Sequence, residues 1–239
     1  MTLLEQLPDQ ASEVALITGW IESARPDAGP VRILEAGCGN HWPLAVPDAH
    51  LTGLDLDADA LRIRREELGD LDEAVVGDLV DADLPDGGFD VAYCAYVLEH
   101  VPAADRVLGN LLRWVRPGGL VVVKVPDPHS VRGAVTRVTP HWFHVAYWRY
   151  VVRYPHAGEP GYSPYPTFYH PVISRAGLRR FAAETGAEIV AERGDSRYNG
   201  DAPGLLGRAI GRFVSAVATA SRGRLTATHD NLLVILRRP

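Results

Sequence analysis

Residues Val31–Leu56 read VRILEAGCGNHWPLAVPDAHLTGLDL, and the reading of this stretch decides the fold. Val31, Ile33 and Leu34 form a short apolar run that breaks into Gly37-Cys38-Gly39, and Leu51–Leu54 forms a second run ending at Asp55. The order is strand, glycine turn, strand, acid. Glycine tolerates the backbone angles of a sharp turn and lets the main chain approach a ligand closely, while a carboxylate at the tip of the second strand can accept hydrogen bonds from both hydroxyls of a ribose. The stretch predicts a nucleoside-bearing ligand. A dinucleotide fingerprint would need a small residue three positions after the second glycine, so that a helix N-terminus can hold a pyrophosphate. Trp42 stands there, followed by Pro43, and the pyrophosphate reading loses.

Composition bounds what surrounds this stretch. A chain of 239 residues, 46% hydrophobic, can bury a sizeable core, and one domain over residues 1–239 with an insertion fits better than two full domains. The net charge is −6 and no run of about 18 apolar residues occurs, so neither a membrane span nor a bulk nucleic-acid footprint is expected. The first residues, MTLLEQLPDQ, lack the basic flank of a secretory signal, which predicts a cytoplasmic protein. Cys38 and Cys94 lie in or beside apolar strands and read as buried, reduced thiols. No metal is expected, because the His residues lack a tight ligand spacing with Cys or carboxylates.

Taken in order, Asp9–Ala24 reads as a helix that covers the sheet, with Val14, Leu16, Ile17, Trp20 and Ile21 as its apolar stripe. Between Gly39 and Leu51 there is room for a turn or two of helix, interrupted by Pro43 and Pro47. Ala58–Leu68 reads as a surface helix whose Arg62, Arg64 and Arg65 form a solvated face. Ala74–Val76 is a short strand ending at Gly77-Asp78. Phe89–Ala95 is the next, entered from the turn Pro85-Asp86-Gly87-Gly88 and leaving into Tyr96-Val97-Leu98-Glu99-His100-Val101. Ala104–Val115 follows as an amphipathic helix, Arg116-Pro117-Gly118-Gly119 as a stop, and Leu120–Val125 as an apolar strand, the fifth. This alternation argues a parallel sheet, whose ligands sit beyond the carboxyl ends of the strands. Gly37, Asp55, Asp78 and Tyr96 all fall at such ends.

The segment Glu35-Ala36-Gly37-Cys38-Gly39-Asn40 with Asp55, the run VVGDLVDADLPDGGFD around Asp78, and the Leu98-Glu99-His100 signature resemble, in order over Val31–Val125, the motifs of class I S-adenosylmethionine-dependent methyltransferases. That resemblance implies a Rossmann-like α/β fold of seven strands with an antiparallel last strand. It implies S-adenosyl-L-methionine as cofactor and S-adenosyl-L-homocysteine as product. Glu35, Gly37, Cys38, Gly39, Asn40, Asp55, Leu56, Asp78, Leu79 and Tyr96 become the expected cofactor contacts, with Asp55 on the ribose, and with Asp78 and the Leu79 N–H on adenine.

Residues 126–171 break the pattern, being dense in aromatics, His, Arg and Pro. They form an insertion after the fifth strand, in which Pro140 can open a short helix. It reads either as an aromatic lid over the acceptor or as a small aromatic core covering the sheet; a segment this long in a compact domain favours the lid. The expected acceptor contacts are His129, His141, Trp142, Tyr147, Arg149, Tyr169 and His170. For a hydroxyl acceptor a histidine can take the proton near neutral pH, and His100 and His144 are the candidates. Arg132, Arg137, Arg149 and Arg153 make the insertion locally basic, which points to a small-molecule acceptor carrying phosphate or carboxylate, such as a nucleotide-linked sugar or glycan precursor. Ser174–Thr185 reads as a helix, Glu188–Ala191 as the sixth strand, Pro203–Ala220 as an amphipathic helix that could lie on a membrane but whose stripe is more simply core-facing, and Leu232–Leu236 as the closing strand. Fold does not fix function. The same scaffold also fits a non-methylating reaction of secondary metabolism with the cofactor as bystander, or a binding module whose aromatic face meets a partner. The oligomeric state is not legible.

Overall fold

The computed structural model describes residues 4–150, 153–159, 162–196 and 204–239. Eight strands form one sheet in the order β1-β7-β8-β6-β5-β2-β3-β4. The strands are β1 (Glu5–Leu7), β2 (Val31–Ala36), β3 (Ala49–Asp55), β4 (Glu73–Val76), β5 (Phe89–Ala95), β6 (Val115–Pro126), β7 (Glu188–Asp195) and β8 (Asn231–Arg237). All pairs are parallel except those of β8, which runs antiparallel to both β6 and β7. The seven expected strands are present with the expected antiparallel last one. The eighth, β1, is an addition at the edge: three residues paired with the end of β7, too short and too polar to announce themselves.

Helices cover both faces, which is why the central strands are apolar almost throughout instead of alternating. On one face α3 (Ala104–Trp114) and α6 (Arg175–Thr185) pack Val107, Leu108, Leu111, Trp114 and Leu178 against Leu34, Ala92, Val121 and Val234. On the other, α1 (Gln10–Ser23) packs Ile17 and Ile21 against Val31, Ile33, Val122 and Ile235. The capping signals act as read. Asp9 accepts the Ser12 N–H at 2.7 Å to open α1, and Ser174 accepts the Gly177 N–H at 3.0 Å to open α6.

Four expectations need correction. No helix forms between Gly39 and β3; the two prolines hold residues 41–46 in irregular chain, and Trp42 and Leu44 plug the sheet face, Trp42 edge-on to Tyr93 at 5.5 Å. Gly118-Gly119 is an irregularity inside β6 rather than a stop, because Val115 already pairs with Phe89 before the register shifts. Arg64 is not on a solvated face. Only Ala58–Arg62 (α2) is α-helical, and Ile63–Leu68 widens into a π-helix, which turns Arg64 inward to complete burial. Finally, over its described side chains α7 (Gly204–Ala220) is not core-facing: none of them is buried and Phe213 is 63% exposed. The side chains of Leu205, Leu206 and Ile210, and Pro203 altogether, lie outside the described residues. The insertion after β6 contains α4 (Val131–Val138), capped by Ser130, then α5 (His141–Tyr150).

Candidate functional site

The glycine turn after β2 is built by the sheet itself. The Gly37 N–H donates to the Leu54 carbonyl at 2.8 Å, and the chain passes through positive φ at Gly37 (71°) and Gly39 (50°). A side chain at Gly37 would collide with Val97, so the turn can press on the strand-end loop after β5 only with glycine. Gly39 has open space where a Cβ would point, and its N–H donates to Asp55 Oδ2 at 2.8 Å. Asp55 Oδ1 accepts the Asp57 N–H at 2.9 Å. Both oxygens are thereby fixed at the tip of β3, and each keeps a second lone pair for a ribose hydroxyl. The adjacent strand is tied in through Gly77 N–H to the Asp55 carbonyl, 3.0 Å, which brings Asp78 beside this tip. Asp78 is exposed and closes its own turn by accepting the Val80 N–H at 2.8 Å; Leu79 is buried, while Leu56 and Asn40 are exposed.

A cavity of about 230 Å³ opens beside the turn, lined by Glu35, Gly37, Cys38 and Tyr96 together with Glu13 and Lys124. Glu35 does not stand free in it. Arg64 Nη1 donates to Glu35 Oε2 at 2.7 Å and to the Cys38 carbonyl at 3.0 Å, and its Nε donates to Asp70 at 3.0 Å. The buried guanidinium therefore clamps the turn from below. Burial pushes the Glu35 carboxyl up to about 8 against the opposing pull of Arg64, and pushes the Cys38 thiol up to about 12.

Lys124 and Glu13 were not singled out from sequence. Lys124, the sole lysine, is 1% exposed at the carboxyl end of β6. Its Nζ meets Glu13 Oε2 of α1 at 2.5 Å and Asp195 Oδ2 at the end of β7 at 3.1 Å, and sits 5.2 Å from the centroid of the Tyr96 ring. Tyr96 holds a left-handed backbone, φ 59°, uncommon for a bulky residue, and donates its N–H to the Lys124 carbonyl at 2.8 Å. A charged residue inside an otherwise apolar run, at the ligand-bearing edge of a parallel sheet, was the available signal.

The two candidate histidines are elsewhere. His100 lies in the short 3-10 turn Leu98–His100; its Nδ1–H donates to the Pro166 carbonyl at 2.7 Å, and burial lowers its pKa. With the Phe168 N–H on the Glu99 carbonyl at 2.8 Å, it fastens the insertion to the loop after β5. His144 Nε2 bonds Thr139 Oγ1 at 2.7 Å, inside the insertion. Neither histidine lines the cavity, and nor do the seven expected acceptor contacts. His129, His141, Trp142 and Tyr147 are exposed. Arg149 donates to the Ala157 carbonyl at 2.8 Å, His170 accepts the Val172 N–H at 3.3 Å, and Tyr169 packs half-buried on the core.

The glycine turn, Asp55 and Asp78 thus come together at the carboxyl edge of the parallel sheet. Residues 34–123 match the family model described as a methyltransferase domain. The chain is 35% identical over 109 residues to the ubiquinone biosynthesis O-methyltransferase of Thiobacillus denitrificans, covering 43% of this chain and 47% of that protein. It spans about half the length of the curated relatives it matches. Among solved structures it resembles the [4+2]-cyclase SpnF (TM-score 0.55, 18% identity, 99% of this chain and 86% of that one). It also resembles the geranyl diphosphate C-methyltransferase of Streptomyces coelicolor bound to Mg2+, geranyl diphosphate and S-adenosyl-L-homocysteine (TM-score 0.54, 13% identity, 94% and 79%). At these identities the structures speak for the fold alone. Residues 34–123, which carry the glycine turn, Asp55 and Asp78, are therefore similar to a methyltransferase domain.

Proposed function

We propose that the chain transfers a methyl group to a hydroxyl of a small-molecule acceptor carrying phosphate or carboxylate, a sugar, nucleotide-linked or natural-product intermediate. One observation carries the reading: the glycine turn locked to Asp55 opens directly onto a cavity whose far wall is a buried, charged cluster at the end of β6. The O-methyltransferase named among the relatives supports oxygen as the acceptor atom, and the basic insertion supports an anionic acceptor.

S-adenosyl-L-methionine supplies an electrophilic methyl, so the protein's task is alignment and exclusion of water. Asp55 holds the ribose hydroxyls, Asp78 and the Leu79 N–H meet adenine, and the turn Gly37–Asn40, stiffened by Arg64 through Glu35 and Cys38, carries the rest of the cofactor. Tyr96 and Lys124 close the reacting end. Of the two histidines, His100 is the better base. Its Nδ1–H is committed to Pro166, so Nε2 carries the lone pair, and burial keeps the ring neutral.

The test is calorimetric titration of S-adenosyl-L-methionine and S-adenosyl-L-homocysteine into wild type and Asp55→Ala. Wild type should bind both, and the variant should lose at least about 3 kcal/mol, roughly 150-fold, as expected for two hydrogen bonds to a charged acceptor. Wild-type binding then justifies an acceptor screen read by S-adenosyl-L-homocysteine release. No binding would sink the proposal, and product formed without that release would replace methyl transfer by a reaction in which the cofactor is a bystander.

A further inference from the structure

Charge is divided unevenly along this chain. Residues 128–158 and 204–229 hold eight of its 24 basic side chains, all Arg, and none of its 30 acids. The structure joins the two segments: α7 packs on α4, and Thr226 is hydrogen-bonded to both His129 and Val131 at 2.9 Å. Seven of the eight arginines are exposed. Between them stand large apolar side chains that no neighbour covers: Val138 is 81% exposed, Trp142 69%, Tyr150 76% and Phe213 63%. Helix α5, with six aromatic or His side chains in its ten residues besides Tyr147, has no buried residue at all.

We propose that this face docks on an anionic phospholipid bilayer. Trp and Tyr, with apolar bodies and polar tips, favour the boundary between headgroups and acyl chains, and arginine stems lie along apolar surface while their heads meet lipid phosphates. The complementarity selects the occupant. A second copy of the chain would set one acid-free arginine surface against another, which repels. A bilayer instead offers many phosphates and an apolar interior at once, while the strongly acidic remainder of the molecule is pushed away, orienting the face. The inference is independent of methyl transfer and stands if that reading fails.

The experiment is co-sedimentation of the full chain with vesicles of phosphatidylcholine alone and of phosphatidylcholine mixed with phosphatidylglycerol, at low and high salt. Binding should require phosphatidylglycerol and weaken with salt. Arg137→Glu with Arg212→Glu should lower the partition coefficient at least roughly 25-fold, taking about fivefold per basic side chain at the surface. Trp142→Ser with Phe213→Ser should lower it by roughly tenfold or more at unchanged salt dependence. A melting curve of each variant checks its folding. Quenching of wild-type tryptophan fluorescence by brominated lipid is a second readout that needs no variant, and it should be seen only on phosphatidylglycerol-containing vesicles. Absence of sedimentation, equal binding to neutral vesicles, or wild-type binding by either pair of variants would overturn the proposal. So would a concentration-dependent dimer lost in Trp142→Ser with Phe213→Ser, which would make a second copy the occupant.

Discussion

Helices α3 and α5 are nearly the same length, yet α3 buries six of its eleven residues and α5 none of its ten. The difference is one of patterning. In α3, Val107, Leu108, Leu111 and Trp114 recur at helical spacing with Asp105, Arg106, Asn110 and Arg113 between them, so one stripe meets the sheet and the rest meets water. In α5 the sequence HWFHVAYWRY is amphipathic residue by residue rather than face by face. Every large aromatic side chain but Phe143 carries its own polar tip, so no orientation separates apolar from polar. Burying the helix would strand those tips, and exposing it leaves aromatic area in solvent. The first helix belongs to the scaffold and the second to whatever the molecule meets.

If this division is right, substitutions beneath the glycine turn should cost far more than any in the insertion. The largest effect is expected at Arg64. Arg64→Met strips the partner from the Cys38 carbonyl and from Glu35, whose carboxyl burial already pushes up, and each buried polar group left unsatisfied costs about 1–3 kcal/mol. Arg62→Met, two residues earlier and exposed, should stay within about 0.5 kcal/mol. Urea melts of the two variants decide it: equal midpoints would show that Arg64 clamps nothing.

A smaller effect, of opposite use, is expected from Glu99, which sits where scaffold and insertion join. Burial raises its carboxyl to about 8, and its Oε2 has no hydrogen-bond partner among the described residues. The folded state therefore holds a proton that the unfolded chain gives up above about pH 4.5. Stability should accordingly fall as pH rises from about 5 to 8, by on the order of 3 kcal/mol. His100 acts in the other sense, since its lowered pKa costs stability as pH falls through its unfolded value near 6.5. The difference between wild type and Glu99→Gln isolates the carboxyl: the variant should lack the downward slope, and parallel stability curves across pH 5–8 would refute the assignment.

Most of the scaffold was legible because its information is local and redundant. Gly37, Asp55 and Asp78 lie at predicted strand ends, and the sheet brings them together as the alternation of elements requires. What escaped was non-local or broke a period. Arg64 looked solvated because a 3.6-residue period places it beside Arg65, and only the π-helical widening turns it inward. Lys124 looked like one residue in an apolar strand, and its partners Glu13 and Asp195 lie 111 and 71 positions away in sequence. Strand β1 is three residues whose pairing is decided by β7. The histidines were drawn together by composition, yet His100 is held across loops by the Pro166 carbonyl and His144 by Thr139 within the insertion.

The smallest expected effect tests the other half of the comparison. Trp142 is the sort of residue whose truncation normally destabilises a protein by about 3–5 kcal/mol, because a buried indole leaves a large cavity. Here the side chain is 69% exposed, and among the described residues its ring meets Phe143 edge-on at 6.1 Å. Truncation removes little area from contact and opens no cavity. Trp142→Ser should therefore lower the stability read from a urea melt by no more than about 0.5 kcal/mol, while the same change at Trp114, fully buried at the end of α3, should cost several. A large loss at Trp142 would mean that α5 is packed in solution against a surface it does not touch here, and the helix would pass from the side of recognition to the side of scaffold.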